Sequence, residues 1–131
     1  MASPNAFRTD VPFLNDVGIE LVSAGDGRAV VALDLAPRHL NSWGAAHGGV
    51  LMTLLDVAMA VAGRSLDPEA GAGVTVEMKV TFVQPARGPR IQASGHAYHR
   101  STTMAFCDGE VHDASNRLVA KGMGIFKFLR R

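Results

Sequence analysis

The sequence predicts an α+β domain in which an antiparallel sheet curves around one buried helix. Three observations lead there. The stretch from Val50 to Ala62 is apolar except at Thr53 and Asp56, too long for one strand and rich in helix formers. Val74 to Phe82 alternates apolar and polar residues without a fault, the period of a half-buried strand. Strand-type segments lie on both sides of the helix, and turn signals rather than further helices separate them, which favours antiparallel pairing.

The elements follow in order. The first sixteen residues are irregular, with Pro4 and Pro12, and leave room for a short helical turn from Asp10 to Asp16. Gly18 to Ser23 and Arg28 to Leu35 are rich in Val, Ile and Leu, and Ala24-Gly25-Asp26-Gly27 between them signals a hairpin. Pro37 to Gly44 reads as a loop. The helix spans Gly48 to about Arg64. It is apolar nearly all round, so most of its sides are buried. Gly63 and Asp67-Pro68 mark its end, and Gly71 and Gly73 extend the loop beyond it. Four strands follow: Val74 to Phe82, Arg90 to Arg100, Thr103 to His112 and Leu118 to Leu129. Turns at Pro85 to Pro89 and Asp113 to Arg117 punctuate them.

A length of 131 residues suits a single domain, 1–131, with no room for a second catalytic module. Thirteen Lys and Arg against twelve Asp and Glu give a net charge of +1, which removes the electrostatic reason to expect nucleic acid or an anionic membrane surface. The lone Cys107 excludes an intramolecular disulfide framework and a Cys-rich zinc site. The leading residues MASPNAFRTDVPF have neither the apolar core nor the basic lead-in of a signal peptide. The low-charge stretch His39 to Gly63 carries too many polar residues to span a membrane, so cytoplasmic residence is the expectation. Charged residues are 19% of the chain, against about 25% in ordinary soluble domains. So small a domain has much surface to cover. The shortfall implies surface hidden in an oligomer or an exposed apolar binding site.

The chemical signals gather around the helix. Asp56 is the only formally charged residue between Arg38 and Arg64, and it sits inside the apolar run. A buried carboxylate is costly unless paired, hydrogen-bonded or used. It is either an interface Asp held by a neighbour or a functional acid. His47-Gly48-Gly49 stands at the helix start. Glycines let a ligand approach the backbone, and the first N–H groups of a helix lack intrahelical partners at the positive end of its dipole. Such donors can hold a carbonyl oxygen gaining negative charge. A plain Gly-rich loop reads the same way. Asn41, six residues before His47, is either a turn residue or an amide that orients water or a carbonyl.

Taken together, Asn41-Ser42-Trp43-Gly44-Ala45-Ala46-His47-Gly48-Gly49 with Asp56 nine residues after the His resembles the hotdog-fold acyl-CoA thioesterases, most closely the PaaI type. A sister group carries Gln and Glu where this chain has Asn and Asp. The resemblance runs from about Phe13 to Phe128. It implies a hotdog fold, an acyl-CoA substrate, a homodimer or dimer of dimers, and no metal or redox cofactor. It also implies roles. Asp56 would be the general base or nucleophile, and the Gly48 N–H would polarise the thioester carbonyl. Asn41 would help hold the carbonyl or the water, and His47 would shape the loop. Gly49, Thr75, Met52 and Met59 would lie along the substrate, with Leu55 beside them.

Strict alternation places Thr75 opposite Val74 and Val76, on the solvated face. Relatives often carry Gly-Arg or Gly-Lys where coenzyme A passes. This chain has Ser101-Thr102 there, so Arg100, Ser101 and Thr102 are the groups that would reach phosphates. Gly48 and Asp56 are eight residues apart, roughly 12 Å at about 1.5 Å of rise per residue. Both can reach one thioester only if they come from different subunits across a two-fold interface.

Other features read more simply. His96 and His99 point to opposite faces of a regular strand, which argues against a metal pair. Cys107 reads as core. Lys127, Arg130 and Arg131 form a basic tail. No Walker or dinucleotide fingerprint is present. A non-catalytic acyl-CoA binding module and a hotdog dehydratase or hydratase are the competing readings. The His-Gly-Gly to Asp spacing speaks against the dehydratase.

Overall fold

The computed structural model describes residues 10–129. Pro4 and the rest of the leading segment, and Arg130 and Arg131 of the expected basic tail, lie outside the described residues. The elements run α1 (Pro12–Val17), β1 (Glu20–Gly25), β2 (Arg28–Asp34), a 3-10 turn (Pro37–His39), α2 (Gly48–Arg64), β3 (Gly73–Phe82), β4 (Arg90–Arg100), β5 (Met104–His112) and β6 (Leu118–Phe128). The strands form one sheet in the order β1-β2-β4-β5-β6-β3, with every neighbouring pair antiparallel. It curves around α2, which touches every strand. The α+β architecture expected from the sequence is the one observed.

Local chemistry explains the boundaries. Pro12 opens α1, where its missing N–H is not needed. Gly18 closes α1 at φ 93°, its N–H donating to the Leu14 carbonyl, so the first strand begins at Glu20 and not at Gly18. Asp26 and Gly27, at φ 55° and 79°, form the two-residue hairpin loop whose twist matches its strands. Thr103 falls in the β4–β5 turn, though its carbonyl accepts the Phe128 N–H at 2.7 Å.

Helix α2 carries the core. Leu51, Leu54, Leu55, Val57, Ala58, Met59 and Ala62 are buried against the sheet, together with Val31, Ile91, Val111, Val119 and Phe126. The helix lies close over β4, where the sheet has no room for a side chain at Gly95. A Cβ on Gly95 of β4 would collide with the Ala58 carbonyl, and one on Gly109 of β5 would stand 2.7 Å from the Ser94 carbonyl oxygen. At the other end, Ser65 Oγ donates to the Ala62 carbonyl at 2.7 Å and accepts the Gly27 N–H at 2.8 Å, tying the hairpin to the helix terminus.

Register shifts interrupt several ladders, and two of them, in β3 and β4, break the alternation that the sequence suggests at candidate residues. In β3, Thr75 pairs with Phe126 and Glu77 with Ile125, leaving Val76 extra. Thr75 therefore faces α2 before the bulge, as Met78 and Val80 do after it. The solvated-face expectation for Thr75 fails because alternation assumes an unbroken ladder. In β4, Ala97 pairs with Cys107 and His99 with Phe106, leaving Tyr98 extra. His96 and His99 consequently share the outer face, and not opposite faces. His96 lies 3.9 Å from Asp108, and the His99 ring packs on Phe106. The same bulge turns Arg100 inward, with only 10% of its side chain exposed. Among the described residues, no helix is long and apolar enough to cross a membrane, and no cluster of three His, Cys, Asp or Glu side chains could hold a metal ion.

The contact at Gly95 yields a stability prediction. Gly95→Ala forces backbone against backbone, so it should destabilise the fold by about 1–3 kcal/mol. The check is a lower urea midpoint at unchanged m, with protein concentration held fixed.

Candidate active site

The segment entering α2 is held by two histidines. His39, buried within its 3-10 turn, accepts the Ala36 N–H on Nδ1 at 2.9 Å and donates from Nε2 to the Val17 carbonyl at 2.7 Å. The His39 carbonyl in turn accepts the His47 N–H at 2.8 Å. His47 caps the helix: its Nδ1 accepts the Gly49 N–H at 2.9 Å, and its carbonyl accepts Val50 at 2.9 Å and Leu51 at 3.3 Å. Gly49 is thereby spoken for. The Gly48 N–H alone in this first turn has no partner among the described residues, and Gly48 lines a cleft of about 440 Å³.

Asn41 builds the floor of the same loop. Its Oδ1 accepts the Trp43 N–H at 2.9 Å and the Ala45 N–H at 3.1 Å, while Gly44 takes φ 74°, which favours glycine. These two donors fix the amide so that the oxygen faces the turn and the NH2 group remains for a ligand. Asn41 therefore serves as a turn residue without losing its donor. The wall opposite is Phe82, Val83 and the loop through Arg87. The sequence reading missed this wall, because no local pattern in Phe82 to Arg87 announces a cleft formed with residues some forty positions earlier.

A Cβ on Gly48 would stand 3.5 Å from the Phe82 ring, an ordinary contact. The chain's own packing does not demand glycine there. The demand, if any, comes from what enters the cleft.

Asp56 lies elsewhere. It belongs to the narrow stripe of α2 turned away from the sheet, with Met52, Thr53 and Ala60. Its Oδ1 accepts the Thr75 hydroxyl at 2.6 Å, a contact made possible by the Val76 bulge. Burial pushes the Asp56 carboxyl above its ordinary pKa, and the Thr75 hydrogen bond pulls it partly back. The two residues share a second cleft, of about 270 Å³, with Phe13, Ala60, Arg64 and Phe128. Gly48 and Asp56 thus lie in separate clefts of one chain, and the fold does not bring them together.

The remaining candidates divide. Met52 is exposed on the Asp56 stripe. Met59 is fully buried, its side chain against Gly109 and Gly124, so it cannot line a substrate path; the expectation is corrected. Leu55 is buried likewise against Gly109 and Gly122. The reason is helical phase, since both residues point at the sheet. Arg100 lies in neither cleft. Its guanidinium stacks 4.5 Å from the Phe128 ring centroid, and Nη2 reaches Asp67 at 3.5 Å. Ser101 closes the β4–β5 turn through the Met104 N–H at 3.1 Å, and Thr102 sits exposed at that turn. Cys107 is core, as expected. Burial pushes its thiol up to about 12, and Sγ donates to the Met59 carbonyl.

One edge of the sheet bears on how the two clefts could meet. β3 is ten residues long and unpaired on its outer side, and it exposes Val74 and Val76, the latter by 55%. A long, apolar, uncovered edge is a template for pairing with another chain.

Comparison with known proteins agrees with this geometry. Acyl-coenzyme A thioesterase 13 of Homo sapiens is 35% identical over 107 residues, covering 79% of this chain and 75% of the relative. A conserved protein of Pseudomonas aeruginosa superimposes with a TM-score of 0.88 at 31% identity, over 96% of this chain and 100% of that one. The PaaI protein of the E. coli phenylacetic acid degradation operon does so at 0.85 and 25% identity, over 95% and 89%. Residues 44–120, which include His47, Gly48, Asp56 and Thr75, match the Thioesterase superfamily. The chain belongs to that superfamily and has its hotdog fold.

Proposed function

We propose that this protein hydrolyses an acyl-CoA thioester to the free acid and coenzyme A, at two equivalent sites shared by a pair of subunits. The observation that carries the shared site is the separation of the half-sites. The free Gly48 N–H and the Asp56–Thr75 pair occupy different clefts at different heights of α2. Pairing of β3 with β3 of a second copy would continue the sheet and set the two α2 helices side by side. Asp56 of one copy would then face Gly48 of the other. A dimer is the minimum this requires, and a dimer of dimers is compatible with it. The acyl-CoA substrate class rests on family membership and on the human relative's activity. The unpaired thiol Cys107 suits a cytoplasmic setting.

The chemistry follows from the groups present. The thioester carbonyl oxygen accepts from the Gly48 N–H, with the Asn41 NH2 beside it. Asp56, as a carboxylate, either removes a proton from water attacking the carbonyl carbon or attacks that carbon itself. The carbon–sulfur bond breaks and the thiolate leaves; on the first route it takes the proton removed from water, and on the second a water then hydrolyses the acyl–Asp56 anhydride, releasing the acid, restoring Asp56 and supplying that proton. His47 takes no proton in this scheme, since its Nδ1 is committed to Gly49. Thr75 positions Asp56 and holds it in its charged form.

Three outcomes are expected. Asp56→Asn keeps the Thr75 hydrogen bond but lowers turnover of an acyl-CoA panel by about 10²-fold or more. A raised carboxylate pKa means the folded state holds its proton more tightly than the unfolded chain, so ionised Asp56 weakens the fold as pH rises past its ordinary value. The Asn variant should therefore be no less stable than wild type at pH 7 by urea unfolding. A loss of less than about tenfold, ~1.4 kcal/mol of barrier, removes Asp56 from the mechanism.

Thr75→Val deletes the influence that lowers the Asp56 pKa, so the acid limb of the pH–rate profile should move to higher pH. An unmoved limb would separate Thr75 from the acid.

Gly48→Ala should leave stability nearly unchanged, because the added Cβ meets only ordinary contact, while turnover falls. Mixing Gly48→Ala with Asp56→Asn subunits tests sharing directly. Random dimers would recover about a quarter of the wild-type rate, since half are mixed and each mixed dimer has one intact site. No recovery, with subunit exchange demonstrated by mass, places both groups in one chain's site.

A further inference from the structure

Trp43 is the only tryptophan in the chain, and its side chain is left in the open. It is 80% exposed, the most exposed of the large apolar residues, yet it lines the Gly48 cleft. Within the Asn41–Gly49 segment it has no part in holding the loop except through its backbone N–H, which donates to Asn41. Across the cleft stands Arg87, on the loop after β3. The two loops are fastened together by the Ala46 N–H donating to the Ala86 carbonyl at 2.8 Å. Arg87 itself makes one long hydrogen bond, from Nη1 to the Gly44 carbonyl at 3.3 Å. Its remaining donors are exposed. The lip of the cleft therefore presents an indole on one loop and a guanidinium on the loop across from it. The floor presents the Gly48 N–H, the Asn41 amide, and the apolar Leu51 and Phe82.

An indole face and a guanidinium together match one ligand chemistry. The indole stacks on a flat ring, and the guanidinium binds an anion bidentately. We propose that Trp43 and Arg87 form a subsite at the mouth of the Gly48 cleft for an aromatic ring adjoining an anionic group. The ligand's source rests on the acyl-CoA reading. Two parts of such molecules carry this chemistry: the adenine nucleotide end of coenzyme A with its phosphates, and an aryl group next to a carboxylate, the released acid of an aryl thioester. The exposure of both side chains suits the outer end of a long ligand, because a group buried at the reacting carbon would meet walls and not open solvent.

The single tryptophan makes the test direct, because every change in indole emission reports on Trp43. The full-length protein is titrated with free coenzyme A, with adenosine 3′,5′-bisphosphate, with pantetheine and with benzoate. Saturable change in emission with coenzyme A and the bisphosphate, but not with pantetheine, assigns the subsite to the nucleotide. Saturable change with benzoate alone assigns it to the aryl acid. In either case Arg87→Gln should weaken the response by about tenfold, as loss of a charge-assisted pair does, and Trp43→Ala should raise KM more than it lowers kcat.

Two results overturn the subsite: a response that Arg87→Gln leaves intact, or no saturable response to any probe, which with a blue-shifted emission would mean that another copy covers the indole. Thiol release from acyl-CoA is measured on the same preparations. A protein that hydrolyses with a silent Trp43 overturns this subsite alone. One that binds the probes and releases no thiol overturns the hydrolase reading alone.

Discussion

The closeness of α2 to the sheet is the constraint on which the rest of the structure depends. Gly95 lets the helix lie almost backbone on backbone over β4, and Gly109 leaves room for the Leu55 and Met59 side chains over β5. That depth buries Leu51, Leu54, Leu55, Ala58, Met59 and Ala62 and leaves one narrow stripe facing out. Tight packing with small residues at the contact is how a single helix can serve as the core of so small a domain. The helix then places both candidate groups: the capped N-terminus with Gly48 at one end, and Asp56 two turns on.

The position of Asp56 is energetically expensive. A partly buried carboxylate on an otherwise apolar helix holds its proton more tightly than it would in water, and one hydroxyl, from Thr75, offsets part of that burden. Asp113, by contrast, is held by an ion pair with Arg117. An acid kept poised and only lightly restrained suits proton transfer or attack on a carbonyl. The same stripe runs beside the uncovered β3 edge, so the surface that leaves Asp56 exposed in one chain is also the surface that invites a second.

Legibility followed the range of the interactions. The helix from Gly48 to Arg64 and the Asp26-Gly27 hairpin turn depend on residues within a few positions of one another, and the sequence displays them. The low charge count and the apolar helix pointed to hidden surface, and the exposed Val74, Val76 and Phe82 along and beside the β3 edge show where apolar surface remains. Met59 was misplaced because a helix apolar on nearly every side gives no phase by which to tell the face toward the sheet from the face toward a substrate. Arg100 was read toward phosphates, yet the β4 bulge folds it inward onto Phe128.

Taken alone, the sequence determined the α+β class, the element order and the family motif, because periodicity, turn residues and a contiguous loop-to-helix segment are local properties. Only the tertiary structure decided three things. It set Thr75 on Asp56 through a bulge that strand alternation cannot foresee. It joined the 41–46 loop to the 82–87 loop into one cleft. It also turned Arg100 inward onto Phe128 through the β4 bulge. The physical reason is the same in each case. Which side chains meet across a sheet or a cleft is set by ladder register and by the depth at which the helix packs, and both are outcomes of the whole chain closing on its core.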